Sequence, residues 1–182
     1  MVSVKCSVKD EQELTHIIKL NPDSIEEGLR VIETFFNLPN GKQIDVLAMD
    51  KDNVLTIIEL KKEIDEGQLI QTLNYYDWIL SNLDSIKRIF PQSGFALKNP
   101  RIILIAEDYR EDTLLLSKYL SEQIDITLYR YIAIKVNDKK LIICNEQAIP
   151  TTDEIFIPAT EEDRVNYILD NDVKKRTIDC SN

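Results

Sequence analysis

Apolar positions recur along this chain with two different periods, and the switches between them mark out its elements. In residues 10–20 (DEQELTHIIKL), Leu14, Ile17 and Ile18 return at helical spacing. Asp10 stands where an N-cap belongs, and Glu13, three positions on, completes a capping-box-like pattern. Asn21-Pro22 closes that helix, because a residue before proline is pushed out of the α region. Residues 29–37, 43–50 and 54–60 then read as strands, the first two joined by Pro39-Asn40-Gly41, a strong hairpin signal, so an antiparallel meander is expected. Over residues 68–83, Leu69, Leu73, Tyr76 and Leu80 fall on one helical stripe, and no proline intervenes before Pro91. A long helix should pack beside the meander.

The alternation continues downstream. Residues 101–106 form a short apolar run, 111–122 a helical pattern, 126–136 a strand, and 141–144 a further strand after an Asn137-Asp138 turn. Interleaved strands and helices imply an α/β fold in which a central mixed sheet is flanked by helices. No repeat or Pro/Gly/Ser-rich linker interrupts residues 1–150, which read as one domain. Residues 151–182 are acidic, then end in Lys174, Lys175 and Arg176, with a helical pattern near 161–169. They are expected to form an appendage packed on the same domain.

A length of 182 residues, with 43% hydrophobic and 30% charged residues and only 4 Gly and 6 Pro, suits one ordinary globular domain. No stretch approaches the roughly 18 to 20 apolar residues of a membrane span, and the N-terminus lacks a signal-peptide pattern, so the expectation is a cytoplasmic protein without a membrane partner. Cys6, Cys144 and Cys180 are far apart and lack Cys-x-x-Cys spacing, which points away from a disulfide framework or zinc site. The single histidine, His16, leaves little room for a histidine-based mechanism and reads as a helix-surface residue. A net charge of -10 excludes a generally basic nucleic-acid coat.

Candidate chemistry lies in residues 44–62 (IDVLAMDKDNVLTIIELKK). If Lys51, Asp52 and Asn53 form the loop, Asp50 pairs with Val54. Five further steps along each strand set Asp45 opposite Glu59. Side chains alternate along strands, so both carboxylates share one face, and Lys61 joins them two residues beyond Glu59. The flanking positions are apolar on both faces, which places these strands inside a covered sheet. Carboxylates there are costly unless paired, hydrated or bound to a cation. Mg²⁺, which takes a few carboxylate oxygens and keeps several waters, would offset that cost. Metal-activated water with an adjacent ammonium group is one route to phosphodiester hydrolysis. Downstream, Gln71 and Tyr75 are four apart on one helical face, beside the apolar stripe.

Asp45, Glu59-x-Lys61 and Gln71-x-x-x-Tyr75 together resemble the PD-(D/E)XK nuclease superfamily, in the branch with a Gln-x-x-x-Tyr helix. The likeness is to the catalytic domain of NucS-type endonucleases and runs from about residue 10 to 135. It includes Glu11-x-x-Leu14, Asn21-Pro22, Ile25-Glu26-Glu27-Gly28-Leu29 and RIILIAEDYREDTLLLSKYL. It implies a restriction-endonuclease-like fold and metal-dependent DNA hydrolysis. One or two Mg²⁺ or Mn²⁺ ions would be held by Asp45, Glu59 and the backbone carbonyl of Leu60. Lys61 would be the electrostatic catalyst, Gln71 and Tyr75 would position Lys61 or the phosphate, and a helical acid, Glu11 or else Glu13, would complete the cluster.

Ile44-Asp45 replaces the Pro-Asp of the superfamily name, a common variation in this branch. The N-terminal DNA-binding and dimerisation domain of full NucS-type enzymes is expected to be missing, since the likeness begins near residue 10, so mismatch or branched-DNA specificity is not carried over. Single-stranded and branched DNA, RNA, a homodimer and a protein partner that supplies specificity all stay open. A second reading is a non-catalytic or partner-dependent interaction module that retains the fold. Lys87, Arg88, Lys98 and Arg101 are the candidate local basic patch, Tyr76 is assigned to the core, and Asp50, Asp52 and Asn53 read as turn residues rather than a calcium loop.

Overall fold

In the computed structural model, residues 3–64, 67–137 and 139–149 are described. They run β1 (Ser3–Cys6), α1 (Glu11–Leu20), a short 3-10 helix (Pro22–Ser24), β2 (Arg30–Asn37), β3 (Gln43–Met49) and β4 (Leu55–Leu60). Then come α2 (Gln68–Ser81), α3 (Leu83–Ile89), β5 (Arg101–Ala106), α4 (Glu111–Leu120), β6 (Ile126–Val136) and β7 (Lys139–Gln147). The chain divides into two units, Met1–Ile149 and Pro150–Asn182, and the description concerns the first. The helical pattern at 161–169 and the expected packing of 151–182 lie outside the described residues.

The strands form one mixed sheet in the order β1-β6-β5-β4-β3-β2, with β7 on the remaining edge of β6. Short turns make β2, β3 and β4 antiparallel, while the longer helical connections through α2, α3 and α4 make β4, β5 and β6 parallel. This is the α/β class and the mixed, helix-flanked sheet that the alternation implies. β1 and β5 take successive stretches of the same edge of β6, since β7 pairs along the other edge opposite both. The strand β1 is absent from the sequence reading because four residues with little apolar pattern carry no periodic signal.

Strand alternation separates two apolar layers. Leu47, Leu55, Ile57 and Leu104 pack with Leu69, Tyr76 and Ile79 of α2 and Ile86 of α3. Val46, Ala48, Ile58, Leu60, Ile103 and Ile105 pack with Leu14, Ile17 and Ile18 of α1. Every residue of β4 is buried, as befits a central strand covered on both faces. The start of α1 matches the capping pattern with one change. Asp10 accepts a hydrogen bond from the Glu13 N–H at 2.8 Å, whereas the Glu13 carboxylate accepts from the Lys9 N–H at 2.5 Å rather than from Asp10.

The helix α2 departs from its expected stripe. Leu80 is 37% exposed and Leu73 half-buried, whereas Gln68, Thr72, Tyr75 and Ile79 are buried with Leu69 and Tyr76. Apolar counting misses this face because it contains polar groups satisfied locally: the Thr72 hydroxyl donates to the Gln68 carbonyl at 2.7 Å. The helix also stops at Asn82, whose side chain donates to the Trp78 carbonyl, and the chain restarts as α3.

The outer edge strand β2 is irregular. Its register against β3 shifts between Val31 and Glu33, and Phe35 adopts the left-handed conformation at φ 57°. No described helix is long and apolar enough to cross a membrane.

Candidate active site

The turn after β3 fixes the register on which the site depends. One carboxylate oxygen of Asp50 accepts from the Asp52 and Val54 N–H groups, and Asn53 closes the loop at φ 61°. Met49 then lies opposite Leu55, and the ladder continues to Val46 opposite Ile58. One further step sets Asp45 across from Glu59, as the hairpin count expects. The Leu60 N–H donates to Asp45 Oδ2 at 2.9 Å, tying the two strand ends together through the acid itself. Glu59 is 1% exposed, and its Oε2 has no hydrogen-bond partner.

Lys61 Nζ stands 3.8 Å from Glu59 Oε1 and 3.6 Å from Glu11 Oε1. The face of the sheet covered by α1 is opposite to that covered by α2, yet the first residue of α1 reaches the strand end and meets Lys61. The competing acid Glu13 points elsewhere, with both its oxygens 2.8 Å from Lys140 Nζ. Glu11, Lys61, Lys62, Glu63 and Ile64 line an open depression of about 570 Å³ above this point.

From the other side, α2 supplies Gln71 and Tyr75, with Gln71 Nε2 donating to the Tyr75 hydroxyl at 2.6 Å. Tyr75 is 2% exposed, so it belongs to the core lining of the site and offers no open face for stacking on a base. Burial raises its pKa, the Gln71 hydrogen bond opposes, and the charges of Glu59 and Asp45 add to the rise. The sequence reading does not single out Gln68. Fully buried at the first position of α2, it donates to the Glu59 carbonyl at 2.6 Å and the Ile105 carbonyl at 3.2 Å. Its only sequence signal is a glutamine one turn before Gln71.

The electrostatics of the acid pair follow from this burial. Desolvation pushes Glu59 well above the ordinary carboxylate range, the Asp45 charge pushes it further, and Lys61 opposes. Asp45 also rises through desolvation, held back by the Leu60 N–H and by Lys61. Among the described residues no three His, Cys, Asp or Glu side chains are grouped to hold a metal ion, so an all-protein cage is absent there. Two facing carboxylates, one with an oxygen lacking any protein partner, nevertheless suit a hard cation such as Mg²⁺, which binds through one or two carboxylates and retains water.

Other residues weighed in the sequence lie elsewhere. His16 is exposed on α1, while Asp50, Asp52 and Asn53 build the turn. Arg101 does not join a basic patch: it makes a two-pronged bond to Glu26 at 2.7 and 2.9 Å and also faces Asp50 and Asp125. Tyr129 donates to the same Glu26 at 2.8 Å. A basic side chain at a strand start can answer acids brought in by loops and turns elsewhere in the chain, which spacing does not reveal.

A family model described as the endonuclease NucS C-terminal domain matches residues 10–112. That span holds Glu11, Asp45, Glu59, Lys61, Gln68, Gln71 and Tyr75. Endonuclease NucS of Methanocaldococcus jannaschii is 38% identical over 66 residues, 36% of this chain and 25% of that protein. A solved repair endonuclease from Pyrococcus abyssi is 26% identical with a TM-score of 0.46, covering 68% of this chain and 48% of that one. The structure of an EndoMS-dsDNA2 complex is 20% identical with a TM-score of 0.45, covering 70% of this chain and 47% of that one. The chain thus spans about a quarter of the curated relative and about half of these solved ones.

Proposed function

Since this chain belongs to the endonuclease NucS C-terminal domain family, we propose that it is a nuclease domain that hydrolyses DNA phosphodiester bonds with a divalent cation, Mg²⁺ or Mn²⁺. The observation that carries this reading is Glu59, buried with one oxygen unpartnered and opposed to Asp45. Asp45, Glu59 and the Leu60 carbonyl would hold the cation. When bound, it would lower the pKa of water at the site and offset negative charge on the phosphate.

The side chains supply the remaining tasks. Lys61, held between Glu11 and Glu59, keeps an ammonium group at the mouth of the depression, where it would donate to a phosphate oxygen and orient the attacking water. Glu11 limits where that ammonium points. Gln71 gives its N–H to the Tyr75 oxygen, leaving the phenolic proton free to be donated into the site. We read the nuclease domain as residues 1–150 and its location as cytoplasmic.

Incubation with single-stranded, duplex and branched DNA in Mg²⁺ or Mn²⁺ tests the proposal. Cleavage should vanish in Asp45→Ala and Lys61→Ala. Absence of cleavage on every DNA, or cleavage indifferent to both substitutions, would overturn activity of the isolated chain. A second reading, activity only with a protein partner or a second copy that brings the substrate, is favoured by charge. The net charge is -10, and Glu11 and Glu63 share the rim with Lys61 and Lys62. On that reading the chain binds Mn²⁺ yet cuts nothing alone, whereas a non-catalytic module binds no metal.

A further inference from the structure

Three successive residues, Glu59, Leu60 and Lys61, must hold their places for the proposed site to exist, and each has a main-chain group tied down by a different element. The Leu60 N–H goes to Asp45 on β3 at 2.9 Å, and the Lys61 N–H goes to the Ile105 carbonyl on β5 at 2.8 Å. The Glu59 carbonyl accepts from Gln68 Nε2 at 2.6 Å, and the same amide nitrogen reaches the Ile105 carbonyl at 3.2 Å. Gln68 therefore grips the residue before Leu60 directly and the residue after it through their shared acceptor. It does so from the first position of the helix that carries Gln71 and Tyr75.

We propose that Gln68 is a positioning residue for the cation-binding end of β4: its amide fixes the Glu59–Lys61 main chain and locks α2 onto it, so that the Glu59 carboxylate, the Leu60 carbonyl and Tyr75 share one frame. This inference rests on the nuclease reading. A fully buried amide that donates to carbonyls of two parallel strands is more than filling: an apolar side chain of the same length would leave both carbonyls without that donor. The parallel pairing of β4 with β5 would hold the strands together without it. What the amide adds is a link from the strand pair to the helix.

Mn²⁺ titration calorimetry on the full chain, with thermal melting in EDTA, tests the assignment. Gln68→Met keeps the length and removes the donor, and should weaken Mn²⁺ binding roughly 10- to 100-fold. Gln68→Asn keeps an amide on a shorter arm and should fall between Gln68→Met and the parent. Thr72→Val, which removes a neighbouring buried hydroxyl bond within α2, should shift the melting temperature without changing Mn²⁺ affinity. Parent-like affinity in a folded Gln68→Met protein would overturn the role, as would equal losses of affinity in Gln68→Met and Thr72→Val. Should Gln68→Met not fold, parent-like affinity in Gln68→Asn would overturn it. If the parent itself binds no Mn²⁺, the nuclease reading fails instead.

Discussion

Asp45 spends one carboxylate oxygen on the Leu60 N–H, while Glu59, facing it across the hairpin, leaves an oxygen buried with no partner. The pair is therefore unequal before any cation arrives. Asp45 is partly satisfied and locks the strand register, whereas Glu59 is the carboxylate that gains most from a positive ligand.

This inequality sets the first expectation. Glu59→Gln should abolish Mn²⁺ binding yet leave the metal-free protein as stable as the parent or more so at pH 8, because a neutral amide escapes the cost of either burying a charge there or taking up a proton to avoid it. Asp45→Asn should also lose the metal, but without a stability gain, since the Leu60 N–H then meets a weaker acceptor. Calorimetry and thermal melting in EDTA read both effects. A large loss of stability in Glu59→Gln would contradict the assigned environment.

The pH dependence has a defined sign. Both folded-state carboxyls are raised above their ordinary values, mainly by desolvation, so the folded protein binds more protons than the unfolded chain once pH exceeds the ordinary carboxylate range. Metal-free stability should accordingly fall as pH rises from about 5 toward the raised folded values, with a limiting slope of about 1.4 kcal/mol per pH unit for each excess proton. Melting in EDTA between pH 5 and 9 should show this decline, flattened in Glu59→Gln. Cation binding should release protons, measurable as a buffer-dependent heat.

How much of this was legible in the sequence depends on what kind of signal each feature leaves. Turn chemistry and period-two alternation are local, so the β3/β4 register and the opposition of Asp45 and Glu59 could be counted out in advance. The capping pattern likewise located α1, and with it Glu11. Tertiary placement is not local: nothing in the spacing distinguishes Glu11, which meets Lys61, from Glu13, which meets Lys140. Gln68 and Arg101 escaped for the same reason, since their partners are met only through the tertiary fold.

The two helical acids should separate by experiment. Glu11→Gln is expected to lower DNA cleavage by about tenfold or more through Lys61, with little change in melting. Glu13→Gln should leave cleavage intact and cost about 1 kcal/mol through the lost Lys9 and Lys140 bonds. Reversal of that pattern in a nuclease assay paired with thermal denaturation would exchange their roles.

Arg101 gives a stability expectation remote from the chemistry. Arg101→Met leaves Glu26 and Asp50 without their cation, and because the cluster is only partly buried and both acids keep other donors, the loss should be roughly 1 to 3 kcal/mol. Chemical denaturation should show a loss of that order. The Mn²⁺ affinity of the protein that remains folded should match the parent.

The irregular strand β2 bears on how this protein behaves in a crowded solution. Only one edge of β2 is paired among the described strands, and a long, flat, open edge would invite other chains to add on. The register shift between Val31 and Glu33, followed by the left-handed turn of the backbone at Phe35, interrupts the row of outward N–H and C=O groups twice within eight residues. A strand so broken is a poor template for indefinite stacking, and straightening it by sequence change would be the simplest way to turn this domain into a fibre former.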